Sequence, residues 1–166
     1  GLSGKRTVLI GAGGAARAAL WGLLRSGVSS VCIGVRNLAK GKALCTDFAA
    51  DGTLAAYCFD DSRFRNELCA ADIVVQTTPI GMSPQTEAIP PVDIAAIPPS
   101  AVVYDLIYTP AETAFLRAAA AHGCTAINGE IMLVMQGAEA FFLWTGIRPN
   151  TDLMQRVLRE ELARRG

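Results

Sequence analysis

The chain has 166 residues, about half of them apolar, and its 15 basic and 15 acidic side chains cancel. That length and apolar content give one domain with a full core and exclude a disordered chain. The balanced charge leaves no broad basic footprint for nucleic acid, and the longest apolar stretch, residues 131–144, is too short to span a bilayer and is interrupted by Gln136 and Glu139.

The first apolar run, Thr7-Val8-Leu9-Ile10, leads straight into Gly11-Ala12-Gly13-Gly14-Ala15-Ala16-Arg17, and a helical pattern over residues 15–26 leads out. Strand, glycine turn and helix in so short a space make the form G-x-G-x-x-A. Gly11 turns tightly, Gly13 leaves no side chain in the way of a pyrophosphate, and small Ala16 lets the helix lie close to the strand. The first N–H groups of that helix then face the anion. A glycine-rich turn that binds nothing is the alternative, and the flanking strand and helix weigh against it. Gly11, Ala12, Gly13, Gly14 and Ala15 are therefore candidate cofactor residues.

Ala16, Ala19, Leu20, Leu23 and Leu24 share one face of the first helix, which Gly27 ends. A buried strand follows at 31–35, then a helix at 38–50 with Leu44 and Phe48 inward. Asp51-Gly52 is a turn before a third strand at 54–58, a short helix at 64–69 and a fourth strand at 72–76. Residues 83–100 are rich in proline and read as loop with one helical turn at 92–96. A fifth strand at 101–106, a helix at 112–121, a sixth strand at 124–127 and two closing helices at 130–145 and 152–165 complete the chain. Strands alternating with helices pair in parallel through right-handed crossovers. The expected fold is α/β: a doubly wound, parallel six-stranded sheet of the Rossmann NAD(P)-binding type, with C-terminal helices.

In that fold a ligand lies outside the carboxyl ends of the strands. The second strand ends at Val35-Arg36-Asn37, where an acidic residue would bond the ribose hydroxyls of NAD. Arg36 stands there instead, with Lys40 in the first turn of the next helix, and basic groups suit the extra phosphate of NADP. A solvated basic edge is the plain alternative. The fourth strand ends at Gln76-Thr77-Thr78-Pro79-Ile80-Gly81-Met82, with two hydroxyls and a rigid proline beside the expected phosphate site; a simple turn would use the same residues. The fifth ends at Tyr104-Asp105-Leu106-Ile107-Tyr108-Thr109-Pro110. Leu106 offers an apolar surface to a nicotinamide ring and Tyr108 a hydroxyl. Asp105 suits a base, although a loop-bonding carboxylate is commoner.

The helix from Glu130 carries Ile131, Val134, Met135, Ala138, Phe141 and Phe142 on one face and is apolar over much of the rest, a pattern for burial on two sides. One side suits the sheet and the other a domain outside this chain. Gln136 in such surroundings calls for a partner, either a backbone group or a substrate hydroxyl. The five cysteines form no C-x-x-C pair and read as reduced core thiols of a cytoplasmic protein, with no metal site. His122 reads as a helix-end residue. The chain starts at Gly1 and reaches its first strand within a few residues, as a piece of a longer protein would.

Together these blocks resemble the shikimate/quinate dehydrogenase family, specifically its NADP-binding domain. The resemblance rests on Gly11 to Ala15, Arg36 with Lys40, Thr77 to Met82, Asp105 to Pro110, Asn128-Gly129, Met132 to Gly137, and Phe141, Trp144, Thr145 and Gly146, in the family's order. It implies reversible reduction of 3-dehydroshikimate to shikimate with NADPH, in aromatic amino-acid biosynthesis. It places the pyrophosphate at Gly11–Ala15 and the adenosine phosphate at Val35 to Lys40, Asn37 included. Leu106, Gly129 and Met132 then lie near the nicotinamide, and Tyr108 and Gln136 reach the substrate. The family's usual Asn-Arg-Thr is Val35-Arg36-Asn37 here, and its asparagine before Thr-Thr-Pro is Gln76. Its catalytic lysine and aspartate belong to an N-terminal substrate domain and have no match, so no catalytic residue is expected in this chain and no turnover from it alone. Residues 1–146 are expected to form the cofactor domain and 147–166 a helix packing toward the substrate domain, with a homodimer as the form of the intact protein. A quinate enzyme using NAD, a glutamyl-tRNA reductase cofactor domain, and a non-catalytic nucleotide-binding interaction module are the alternatives; the Asp105–Pro110 block and the Gln136 helix fit the second of these poorly.

Overall fold

The structure is a computed structural model and describes residues 1–165. Its six parallel strands are β1 (Arg6–Ile10), β2 (Ser30–Val35), β3 (Leu54–Cys58), β4 (Ile73–Gln76), β5 (Val102–Asp105) and β6 (Thr125–Ile127). They stand in the order β3-β2-β1-β4-β5-β6. Four helices make the crossovers: α1 (Gly14–Arg25), α2 (Leu38–Asp47), α3 (Ser62–Cys69) and α4 (Ala114–Ala121). Two more, α5 (Glu130–Thr145) and α6 (Thr151–Arg165), close the chain. The direction of winding reverses between β1 and β4, so the crevice of a doubly wound sheet opens above those two strands. The expected fold is the one observed.

Period-two alternation along buried strands builds two cores. Val8 and Ile10 face Phe64 and Leu68 of α3 and Phe115 and Leu116 of α4. Leu9, between them, faces Ala16, Leu20 and Leu23 of α1 and Leu44 of α2. Each fully buried leucine or phenylalanine contributes about 1.5–3 kcal/mol. Element ends are set by caps. The Asn37, Asp61 and Thr113 side chains accept from backbone N–H groups of α2, α3 and α4. Thr113 thereby starts α4 at Ala114, two residues later than the pattern suggests, and α2 stops at Asp47, three residues early. His122 caps the end of α4, its Nε2 3.0 Å from the Ile97 carbonyl oxygen, a structural role as expected.

Two expectations are corrected. Only Cys32 and Cys124 are buried; Cys45 and Cys58 are half-buried and Cys69 is exposed, because α3 turns its last residue to solvent. Burial pushes the Cys32 thiol up to about 12. On α5 the buried stripe is narrow. Val134 and Ala138 are buried, whereas Ile131, Met135 and Phe141 are exposed. The physical reason is that α5 packs on α6 rather than on the sheet, leaving much of its apolar surface uncovered.

Candidate functional site

The strand-to-helix turn sits at the reversal point. Gly11 has φ +108°, a conformation that side chains disfavour, and its N–H donates to the Gly34 carbonyl at 2.9 Å. A Cβ there would stand 2.8 Å from Thr77 Oγ1 and 2.8 Å from Thr78 Cγ2, so the glycine turn and the β4 loop interlock. A Cβ at Gly13 would meet open space. Gly13 begins α1 without a side-chain cap, and no acidic residue occupies the first turn. The N–H groups that Asn37, Asp61 and Thr113 serve on the next three helices have no side-chain acceptor at the cap of α1, the kind of helix end that anions bind. Gly14 and Ala15 are exposed beside it, and Ala12 is half-buried.

At the end of β4, Gln76 is fully buried. Its Oε1 accepts from the Thr78 N–H at 2.5 Å, and its Nε2 donates to the Thr78 and Ile80 carbonyls, both at 3.0 Å. Thr77 Oγ1 donates to the Ile10 carbonyl at 2.6 Å, tying this loop to the end of β1. Sequence reasoning treats Gln76 only as a departure from a family pattern; its role as the loop's internal brace needs the backbone path.

At the end of β5, Asp105 is fully buried. Its carboxylate accepts from the Ile107 N–H at 3.0 Å and from Thr113 Oγ1 at 2.8 Å. Burial pushes its pKa above the ordinary value, and those two hydrogen bonds partly offset this. The loop-bonding role, not the base, is the one it plays. Gly129 lies behind this loop. A Cβ on it would come 2.0 Å from the Leu106 carbonyl oxygen, and its N–H donates to the Ile107 carbonyl at 3.0 Å.

At the end of β2, Arg36, Asn37 and Lys40 are all exposed. The Asn37 side-chain oxygen accepts from the Lys40 N–H at 3.3 Å, so that oxygen is engaged in capping α2. Among the described residues the Arg36 and Lys40 side chains make no ion pair, and Lys40 lies in the first turn of α2 as expected.

A cleft of about 1460 Å³ opens between these loops and the closing helices. Ala15, Thr77, Thr78 and Pro79 line one part of it, and Leu106, Tyr108, Met132 and Gln136 another. Leu158, Arg159 and Leu162 of α6 also line it. Gly11 to Gly14 and the Arg36 group are not on this wall, and neither is Gly129, which backs Leu106. Gln136 is exposed rather than enclosed, so water can serve its amide. The residue that sequence reasoning missed is Glu130. It is buried on the same cleft and accepts from Gln155 Nε2 at 3.0 Å and Arg159 Nε at 2.5 Å, joining α6 to the start of α5. An acid in a first helical turn suits the helix dipole and was visible; its partners, 25 and 29 residues on, were not.

Known proteins share this sequence pattern and fold. Residues 1–84 match the family model described as Shikimate / quinate 5-dehydrogenase, and residues 131–159 match that of the Shikimate 5'-dehydrogenase C-terminal domain. The shikimate dehydrogenase (NADP(+)) of Moorella thermoacetica is 43% identical over 163 residues, covering 96% of this chain and 55% of the relative. The solved shikimate 5-dehydrogenase of Listeria monocytogenes, in complex with shikimate and NAD, superposes with a TM-score of 0.88 at 27% identity, over 95% of this chain and 57% of that one. The Thermus thermophilus enzyme, in complex with NADP(H) and shikimate, gives 0.80 at 32% identity, over 99% of this chain and 56% of that one. The chain thus spans little more than half the length of the curated relatives it matches. Half of its sequence fits the family model and its fold superposes on the family's solved members, so the chain belongs to the shikimate/quinate dehydrogenase family.

Proposed function

We propose that this chain is the NADP-binding part of a shikimate dehydrogenase, which reversibly reduces 3-dehydroshikimate to shikimate. The observation that carries the reading is the uncapped N-terminus of α1 at the reversal point, beside Gly13 and its open space. Those N–H groups and the Gly11 to Ala15 backbone would hold the pyrophosphate. Arg36 and Lys40 would hold the adenosine phosphate by charge-assisted bonds. Thr77, Thr78 and Pro79 would border the cofactor, and Leu106 and Met132 would keep water from the nicotinamide, with Gly129 setting how close Leu106 stands. When bound, NADPH supplies the hydride for the ketone carbon.

Tyr108 and Gln136, on the cleft wall, would bond substrate hydroxyls. The proton-transfer groups would lie in a substrate domain outside this chain. Residues 1–146 form the cofactor domain in this reading. The exposed Leu143 and Trp144 of α5 and Leu153 and Val157 of α6 accord with residues 147–166 packing toward that missing domain. A cytoplasmic, homodimeric intact enzyme completes the reading; no helix among the described residues is long and apolar enough to cross a membrane.

A second reading, quinate with NAD, has one observation in its favour. Val35 offers no polar contact and the Asn37 oxygen is engaged in capping, so Arg36 and Lys40 alone would select the phosphate. Titration of the chain with NADPH and NADH separates the two. NADPH is expected to bind about tenfold tighter, from one good charge-assisted bond of about 1.5 kcal/mol, and Arg36→Ala to erase the difference. Equal affinities in the wild type would favour the NAD reading, and binding of neither would sink the cofactor assignment.

A further inference from the structure

We propose that Gln76 is a positioning residue that shapes the Thr77-Thr78-Pro79 loop for the part of the dinucleotide lying in the cleft, away from the adenosine phosphate. The inference rests on the NADP reading above. Gln76 is the last residue of β4 and is fully buried. Its three side-chain hydrogen bonds all go to the following loop, to the Thr78 N–H, the Thr78 carbonyl and the Ile80 carbonyl, and none to another element. Both amide protons are used. The bonds that hold the strand and loop to the rest of the sheet are separate. The Leu106 N–H donates to the Gln76 carbonyl at 3.1 Å, and the Thr77 N–H and Oγ1 both donate to the Ile10 carbonyl.

The Gln76 side chain therefore braces the shape of the loop, while backbone pairing holds the sheet. What the brace fixes is on the cleft. Thr78 turns through the Ile80 N–H bond to its Oγ1 at 3.3 Å, and Thr78 and Pro79 share the wall with Leu106, Tyr108 and Met132. Arg36 and Lys40 are not on that wall. Loosening the brace would leave the partly buried Thr78 and Ile80 carbonyls without their Gln76 donor and let Thr78 and Pro79 drift, without touching the phosphate-selecting residues.

The test compares two ligands on the wild-type chain, Gln76→Met and Gln76→Asn. NADPH spans the whole site, whereas adenosine 2′,5′-bisphosphate carries only the adenosine half, its 2′-phosphate for Arg36 and Lys40 and its 5′-phosphate for the Gly11 to Ala15 turn, and lacks the nicotinamide half that would lie in the cleft. In Gln76→Met, which keeps the volume and loses the bonds, NADPH affinity is expected to fall about tenfold while that of the bisphosphate changes less than about twofold. Gln76→Asn retains an amide one carbon shorter and is expected to fall between. Equal weakening of both ligands would make Gln76 a general scaffold residue and overturn the proposal, as would unchanged NADPH binding. Circular dichroism checks the fold; should Gln76→Met fail to fold, Gln76→Asn carries the same comparison. Wild-type chain that binds neither ligand would overturn the NADP reading itself, a result distinct from these.

Discussion

Gly129 is where a single atom decides most. With a Cβ 2.0 Å from the Leu106 carbonyl oxygen, any side chain forces the β5 and β6 loops apart. Gly129→Ala is expected to cost about 3 kcal/mol, seen as a lower thermal midpoint, with weaker NADPH binding in what remains folded. Asp105 makes a prediction in pH. Its carboxyl is raised above the ordinary 3.8 by burial. A raised acid stabilises the fold while protonated, so its contribution is complete below the ordinary value and is lost as pH rises through the folded one. The stability of the wild type minus that of Asp105→Asn should therefore increase in urea unfolding as pH is lowered from neutral toward the ordinary carboxyl value. A difference independent of pH would mean that the carboxyl is not desolvated. The thiols should also separate, with exposed Cys69 labelled quickly by a maleimide and Cys32, buried and raised to about 12, labelled only on unfolding.

At the scale of elements, α6 depends on one buried carboxylate. Glu130 receives Gln155 and Arg159, so α6 lies along α5 and its later turns line the cleft. Glu130→Gln removes the charge that strengthens the Arg159 bond. Backbone hydrogen exchange in α6 is expected to speed up while that in β1, β2 and β4 stays unchanged; an α6 as protected as in the wild type would show that apolar packing alone holds it. The sequence patterns differ in how well they report such elements. Strand periods and the Asn37, Asp61 and Thr113 caps lie within a few residues of what they control, and the elements they bound were legible. The burial of α5 was not. Its composition announces an apolar helix but does not say whether the sheet, α6 or another domain covers each side.

The whole chain spans little more than half the length of its curated relatives, and α5 and α6 expose Leu143, Trp144, Leu153 and Val157. The chain alone is expected to bind NADPH and to give no measurable oxidation of shikimate with NADP; turnover by this chain would overturn the placement of the proton-transfer groups elsewhere.

The order of elements, the doubly wound sheet, the glycine turn and the basic end of β2 are all legible in the sequence, because each is a local pattern: apolar periods, a glycine turn and the residue type at a strand end. Contacts between distant residues are not. The Gly11 turn meets Thr77 and Thr78, Gly129 meets Leu106, Asp105 meets Thr113, and Glu130 meets Arg159. Each pairing depends on where parallel strands bring their carboxyl ends together and how the closing helices return, and no short stretch of sequence encodes that path.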